Sequence, residues 1–214
     1  MAAQHTCKLS VLLSVFNGEP FLVSAVESIL AQTEGDFEFL ITDDGSTDAT
    51  FSILSDYAQR DRRIVLCRQD KKGLTVSLNR MISRAQGRFI ARMDADDISH
   101  PMRFKEQLAY LDRRPDCLVV GCWIQRIDEH DQAILEMRYP DCHKKLAQLL
   151  ENRRNCFTHG STMLRRNVFD ELGLSYRFRY GQDFDLWLRM ADLGGLGLVP
   201  KVLYRFREHP SKIS

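Results

Sequence analysis

The chain has 214 residues, of which 44% are hydrophobic and 28% are charged, and this composition excludes disordered, collagen-like and coiled-coil proteins. Its 30 basic and 29 acidic side chains leave a formal net charge of +1, which gives no overall field that would attract nucleic acid. We therefore expect one folded domain over residues 1–214 and no nucleic-acid partner.

The sequence contains no apolar run that approaches the roughly 20 residues needed to span a bilayer. The apolar stretch from Leu9 to Phe16 lacks a small-residue cleavage site and is more typical of a buried strand than of a signal peptide. The six cysteines show neither a Cys-x-x-Cys pair nor a zinc-site spacing, so reduced thiols are expected. These features predict a cytoplasmic protein, with peripheral contact at the inner face of the membrane as a further expectation.

The first half of the chain alternates apolar strand patterns with helices that have one apolar face. Strands are predicted at 8–16, 37–42, 63–67 and 89–93. Helices are predicted between them, the first beginning at Pro20 and the second capped by Thr47 or Asp48. Such alternation predicts an α/β fold with a mostly parallel, Rossmann-like sheet flanked by helices.

The second half gives weaker patterns. Pro101 begins a helix that Pro115 ends, and three later helix or strand patterns follow a strand at 118–127. These are a helix at 141–150, a short strand at 161–164 and a helix at 184–193. With no linker or repeat in view, we expect this half to pack onto the same sheet.

Three carboxylates, Asp94, Asp96 and Asp97, directly follow the fourth strand. Left alone they would repel one another, and a hard divalent cation such as Mg²⁺ or Mn²⁺ would remove that conflict. The alternative is that they favour the positive end of the following helix, with Asp97 or Ser99 as its cap. The motif alone leaves both interpretations open.

Asp43 and Asp44 follow the second strand and pose the same choice, because Asp-Asp-Gly-Ser is also turn chemistry. The carboxyl ends of parallel strands lie at one edge of a sheet, so the two acidic clusters could converge on one crevice.

Two other classes of α/β enzyme fit the sequence less well. A phosphatase of the haloacid dehalogenase type needs Asp-x-Asp-Gly-Thr after the first strand, where Phe16-Asn17-Gly18 stands. The Gly-x-Gly-x-x-Gly of dinucleotide-binding enzymes is also missing there.

Four segments in order resemble the family 2 glycosyltransferases of the GT-A fold: "LSVLLSVFNGEPFLVSAVESILAQT", "FLITDDGSTDAT", "KGLTVSLNRMISRAQGRFIARMDADDISHPMRF" and "GQDFDLWLRM". The resemblance runs from about Leu9 to Pro210. It implies inverting transfer of a sugar from a nucleoside-diphosphate donor, such as a UDP- or dTDP-sugar, to the hydroxyl of a glycan or glycolipid, in cell-surface polysaccharide or glycolipid synthesis. It also implies that residues of about 8–100 bind the donor and those of about 101–214 the acceptor.

The resemblance implies roles for individual residues. Asp96 would be the direct ligand of Mn²⁺ or Mg²⁺, with His209 completing the metal site and Arg205 or Arg207 near phosphate. Asp43 would contact the base, Asp97 the sugar hydroxyls and His159 the acceptor. The full set of predicted substrate-binding residues is Phe16, Asn17, Glu19, Asp43, Asp44, Asp94, Asp97 and His159. A turn at Asn17 and solvated surface positions for the two histidines are the alternatives.

The last motif departs from the family, which commonly shows Glu-Asp where this chain has Gln182-Asp183. Asp183 remains as the candidate base for the acceptor hydroxyl, and its alternative role is the N-cap of the last helix. A module that binds nucleotide sugar without turnover is one rival function. A sugar nucleotidyltransferase is another, although "SVFNGEP" lacks the basic, glycine-rich loop it would need.

Overall fold

The computed structural model describes residues 7–210 and Lys212. Its first half contains the predicted alternation of strands and helices. The strands are Cys7–Val15 (β1), Phe37–Asp43 (β2), Ile64–Arg68 (β3) and Gly87–Met93 (β4), and the helices are Glu19–Leu30 (α1), Thr50–Arg60 (α2) and Leu74–Arg84 (α3). β1 pairs in parallel with β2 and β4, and β2 pairs in parallel with β3. The α/β class with a parallel central sheet is confirmed.

The second half continues the same sheet. Its elements are Ile98–Ser99 (β5), Arg103–Arg113 (α4), Cys117–Ile127 (β6), Ala133–Met137 (β7), His143–Glu151 (α5), a 3₁₀ turn at His159–Ser161, Met163–Arg165 (β8), Asn167–Asp170 (α6), Gln182–Leu193 (α7) and Gly195–Arg207 (β9). The strand order is β3-β2-β1-β4-β8-β6-β9-β5, with β7 paired to β6. β8 is antiparallel to both β4 and β6, whereas β9 runs parallel to β6. The expectation that this half packs onto the same sheet is confirmed.

β9 is a long strand that the sequence pattern did not predict. Two glycines, Gly195 and Gly197, and Pro200 interrupt its apolar pattern. Consecutive residues of β6, Cys122 and Trp123, pair with Val199 and Val202 of β9, so the pairing is irregular around Pro200. A strand tolerates proline, which has no backbone N–H, at such an irregularity.

Two apolar cores lie on opposite faces of the sheet. Successive residues of β1 divide between them: Val11 and Leu13 join one cluster with α1 and α4, and Leu12 joins the other with α3, α5 and α7. The sheet is therefore covered on both faces, which leaves its carboxyl edge to form a site. Within the described part of the chain, no helix has both the length and the apolar character to span a bilayer.

Candidate functional site

Two acidic clusters lie on either side of the carboxyl end of β1. In the sheet register, Val15 pairs with Asp43 of β2 and Leu13 pairs with Met93, the residue before Asp94. One strand thus separates Asp43 from Asp94, a spacing of about 10 Å across the sheet. The structure brings both predicted clusters to one edge.

The loop that follows β1 is joined to the loop that follows β2. Asn17, in the left-handed region at φ 52°, accepts the Thr47 N–H at 2.9 Å and donates its own N–H to Ser46 Oγ at 2.9 Å. Glu19 Oε2 accepts the Ala49 N–H at 3.0 Å. The side chains of Asn17 and Glu19 therefore shape this lip of the site through loop contacts, and the prediction that they bind substrate stays a prediction.

A cleft of about 470 Å³ opens beside this lip. It is lined by Gly45, Ser46, Thr47, Arg68, Gln69 and Asp70. Two of these lining residues contact the buried carboxylate of Asp43, whose Oδ1 accepts the Ser46 N–H at 3.0 Å and whose Oδ2 pairs with Arg68 Nε at 3.2 Å. Phe16 is exposed nearby, with the Lys71 ammonium 3.4 Å from its ring centroid. The cleft is thus lined by polar and charged groups, with the Arg68 guanidinium connecting it to Asp43.

Asp44 holds the loop before α3. Its Oδ1 accepts from Gln69 Nε2 at 2.7 Å and from the Lys72 N–H at 2.8 Å, and its Oδ2 accepts the Gly73 N–H at 2.7 Å. Gly73 has φ 88°, a conformation that favours glycine. These contacts give Asp44 a structural role, and its predicted contact with substrate remains a prediction.

Asp94 lies next to a buried arginine. Arg92, fully buried in β4, donates to Asp94 Oδ1 at 2.5 Å and to the carbonyls of Leu12 and Met93 at 2.7 Å each. Burial is the largest single influence and raises the pKa of Asp94, but the positive charges nearby, Arg92 foremost with His159 and Lys212, together outweigh it and the pKa is lowered. Asp94 is therefore ionised at neutral pH.

Arg92 also contacts His159, which lies in the 3₁₀ turn. Arg92 Nε is 3.3 Å from His159 Nε2, and the Tyr176 hydroxyl is 2.8 Å from the same nitrogen. Burial, then the Arg92 charge, lowers the pKa of His159 to about 4, while Asp183 and Asp94 oppose that shift. Because its Nε2 accepts from Arg92, neutral His159 is poorly suited to act as a base.

Asp96 and Asp97 contact the end of β9 and the residues that follow it. Asp96 Oδ2 is 2.9 Å from both His209 Nε2 and Lys212 Nζ. Buried Asp97 accepts at Oδ1 from the Arg207 N–H and from Lys212 Nζ, at 2.8 Å each. Burial raises the pKa of Asp97 to about 7, against the opposing charge of Lys212.

The helix-cap alternative for these acids is wrong. α4 begins at Arg103 after Met102, and neither Asp97 nor Ser99 caps it. Arg207 is buried and donates Nε to the Asp96 carbonyl at 2.8 Å, whereas Arg205 donates to the Asp131 carbonyl at 2.7 Å. The two arginines thus serve the framework around the acids, and a phosphate contact for either stays a prediction.

Asp183 lies in the first turn of α7, so its alternative role as N-cap is also wrong. The cap is Gly181, at φ 65°, and the helix begins at Gln182. Asp183 Oδ2 accepts from Asn155 Nδ2 at 3.1 Å.

The cap predicted at Thr47 or Asp48 for α2 is wrong as well, because the N-cap is Ala49. Asp48 Oδ1 still accepts the Thr50 N–H at 3.0 Å.

The residues present can supply part of a metal site. Asp96 Oδ2 and His209 Nε2 are a hard oxygen and an imidazole nitrogen 2.9 Å apart, and both are ligand types that Mn²⁺ accepts. Among the described residues no group of three or more His, Cys, Asp and Glu side chains is placed to hold a metal. Mg²⁺ and Mn²⁺ sites that use one or two protein ligands plus phosphate and water fit this arrangement.

Several residues of the site were not predicted from sequence. The sequence does contain a signal for Arg92, because a charged residue inside the apolar strand 89–93 must have a partner when it is buried. Asn155 and Tyr176 lie in irregular segments and carried none.

The fold and the site together define an α/β protein of the class that places its ligand site at the carboxyl edge of a parallel sheet. The family model "Glycosyl transferase family 2" matches residues 10–173, and the chain belongs to that family. Putative glycosyltransferase EpsE of Bacillus subtilis is 34% identical over 212 residues, which cover 94% of this chain and 73% of the relative. O-antigen biosynthesis glycosyltransferase WbnJ of Escherichia coli is 33% identical over 188 residues, 86% of this chain and 72% of the relative.

Solved structures share the fold at low sequence identity. S. aureus TarS residues 1–349 superpose with a TM-score of 0.77 and 16% identity, over 94% of this chain and 60% of the TarS chain. PcManGT, a mannosyltransferase from Pyrobaculum calidifontis in complex with GDP-Man and Mn²⁺, gives a TM-score of 0.71 and 17% identity, over 97% of this chain and 59% of the other. The chain thus has the GT-A fold and spans about three fifths of these structures.

Proposed function

We propose that the chain is an inverting, metal-dependent glycosyltransferase that moves a sugar from a nucleoside diphosphate to an acceptor hydroxyl, in the synthesis of a cell-surface polysaccharide or glycolipid. The observation that supports this most is the shared edge at which Asp43, Asp94 and Asp96 surround the end of β1. The polysaccharide assignment is supported by WbnJ, whose name gives O-antigen biosynthesis.

The donor nucleotide would occupy the cleft beside Asp43. Its base would lie between the exposed ring of Phe16 and the polar lining from Ser46 to Arg68, with Asp43 accepting from an N–H of the base. A UDP- or dTDP-sugar remains the proposed donor, and TarS in complex with UDP-GlcNAc supports uridine. GDP-Man in PcManGT makes guanosine the alternative that the donor test has to include.

Asp96 and His209 would hold Mn²⁺ or Mg²⁺, a proposal that the Mn²⁺ in PcManGT supports. When bound, the ion supplies positive charge where negative charge grows on the departing diphosphate. The Lys212 ammonium, now 2.9 Å from Asp96 Oδ2, would leave that oxygen. Asp94, kept ionised by Arg92, would accept from a ribose or sugar hydroxyl.

Asp183 would act as the base. The acceptor oxygen forms its bond to the anomeric carbon as the bond from that carbon to the diphosphate oxygen breaks, and the acceptor proton passes to the Asp183 carboxylate. The hydrogen bond from Asn155 would fix the carboxylate without neutralising it. A single displacement inverts the anomeric centre, and residues of about 101–214 would hold the acceptor.

A donor panel tests this proposal. UDP-, dTDP- and GDP-sugars are incubated with the protein, with Mn²⁺ or with chelator, and free nucleoside diphosphate and the anomer of the product are measured. We expect one class of donor to be consumed only with metal, and with inversion. Binding without release of nucleoside diphosphate would instead support the binding module, and release of pyrophosphate from a nucleoside triphosphate and a sugar phosphate would support the nucleotidyltransferase.

A further inference from the structure

Four arginines and two aromatic side chains lie exposed in the two segments that directly precede Asn155 and Gly181, the N-cap of the helix that contains Asp183. They are Arg153, Arg154, Arg177, Phe178, Arg179 and Tyr180, and we call them the arginine-aromatic rim. Phe178 is 55% exposed and Tyr180 is 69% exposed, which places both rings in solvent rather than in the core. None of the four arginines forms a salt bridge with any residue that the structure describes. The rim is therefore an uncompensated positive surface with apolar tips.

One side of the rim is fixed to α3. The Phe178 carbonyl accepts from Thr75 Oγ1 at 2.5 Å. Asn79 pairs with the main chain of Tyr176 in both directions, at 2.8 Å and 3.1 Å. Three hydrogen bonds thus hold the backbone that presents Phe178 and its neighbours, so the exposure of these rings is a property of the fold.

The other side of the rim, Arg153 and Arg154, lies at the C-terminal end of α5. The Arg153 N–H bonds to the Leu150 carbonyl at 2.8 Å and the Arg154 N–H to the Leu149 carbonyl at 2.9 Å, which is the Schellman pattern of a helix end. Arg153 has φ 58°, at the position where glycine is usual. An arginine at that position costs about 1 kcal/mol of backbone strain relative to glycine. Such strain persists only where the surrounding structure holds it, and strained residues cluster at functional sites.

Both segments of the rim lie within a few residues of the proposed base or of its hydrogen-bond partner. Asn155, directly after Arg154, donates to Asp183, and Tyr180 lies three residues before Asp183 in the chain. A surface that binds the rim would therefore lie near the carboxylate that we propose as the base.

We propose that the arginine-aromatic rim docks the protein on a membrane that contains anionic lipids. Arginine side chains attract a negatively charged lipid surface, and rings such as Tyr180 prefer the depth of the lipid headgroups. The occupant follows from charge complementarity, since a second copy of this chain would bring the same four positive charges together. The choice of a membrane as the carrier of the acceptor rests on the proposed function, while the binding itself does not.

Vesicle sedimentation tests the docking surface without any sugar donor. Vesicles of phosphatidylcholine alone are compared with vesicles containing about one third phosphatidylglycerol, at low and at high salt. We expect the protein to bind the anionic vesicles and to be released by salt. Arg177→Gln with Arg179→Gln should weaken binding about tenfold or more, and Phe178→Ser with Tyr180→Ser should weaken it as well.

A matched control removes two exposed arginines from the opposite edge of the sheet, as Arg60→Gln with Arg62→Gln, and should bind vesicles as the unaltered protein does. Equal binding to neutral and anionic vesicles, or equal loss in the control, would overturn the proposal. So would a dimer that Phe178→Ser with Tyr180→Ser dissociates, because the rim would then bind a second copy. Metal-dependent nucleotide binding separates the two proposals. Its absence in the unaltered protein would count against the proposed function alone, whereas its retention in the rim variants would show that their weaker vesicle binding does not come from loss of the fold.

Discussion

The two halves of the molecule differ in how their sequences encode structure. In residues 7–97 each of the first three strands is followed by a helix, and the polar residues after β1 and β2 lie where the sheet register ends. From residue 98 onward, the strands pair in both parallel and antiparallel fashion with strands that are distant in the chain. β8, for example, lies between β4 and β6. The regular half supplies the acidic edge, and the irregular half supplies the side chains that contact it: His159 bonds to Arg92 and His209 bonds to Asp96.

The largest expected effect concerns the irregular half. Asp183→Asn keeps an oxygen that can accept from Asn155 but removes the proton acceptor, so transfer should fall by about 10² to 10⁴. Stability should change little, because Gly181 rather than Asp183 caps α7. Rates of transfer are measured beside thermal unfolding and nucleotide affinity.

Gln182→Glu is the companion variant, and it should remain active because the base is unchanged. Transfer by Asp183→Asn at the normal rate would remove Asp183 as the base, and Asp185 would be the next carboxylate to test.

A smaller effect is expected where the two halves meet. At Gly160 a Cβ atom would overlap the Tyr204 hydroxyl and lie 2.6 Å from Asp94 Oδ2. Gly160→Ala should therefore destabilise the protein by about 1–3 kcal/mol and weaken donor binding through Asp94. Denaturant unfolding and calorimetry measure the two effects, and Gly35→Ala, where nothing lies within 4 Å, is the control. If Gly160→Ala leaves both the free energy of unfolding and the donor affinity unchanged, the close packing between Gly160, Tyr204 and Asp94 does not matter for either.

The smallest effect is a pH dependence. Because burial and Arg92 lower the pKa of His159 from 6.5 to about 4, the unfolded state binds more protons than the folded state between these values. The contribution of His159 is complete above pH 6.5 and is lost as pH falls toward 4. The stability difference between the unaltered protein and His159→Gln should shrink by on the order of 1 kcal/mol from pH 7 to pH 5.

The stability of each protein has to be compared with that of the other, because Asp97 changes stability with pH in the opposite direction to His159. Its raised pKa of about 7 favours the folded state as pH falls, and it contributes equally to both proteins. A difference that stays constant with pH would contradict the buried, neutral His159.

The sequence predicted the regular half well because its apolar periods and turn residues are local signals. Helix and strand positions from Cys7 to Met93 differ from the predictions by one or two residues. β9 was missed because its pairing with β6 depends on residues some eighty positions away, and Pro200 conceals its pattern. Asn155 was missed for a related reason, because it acquires its role only through a distant partner, Asp183. Arg92 was missed although a charge inside an apolar strand indicates a buried ion pair, here with Asp94.

Calorimetric titration of UDP, with GDP in parallel, tests most directly whether the carboxyl edge is a metal-dependent donor site. In Mn²⁺ we expect binding at least about tenfold tighter than in chelator, and Asp96→Ala should abolish that difference. Asp56→Ala, which removes an exposed acid of α2, should preserve it. Equal affinity in Mn²⁺ and chelator, or a metal effect that survives Asp96→Ala, would contradict the account.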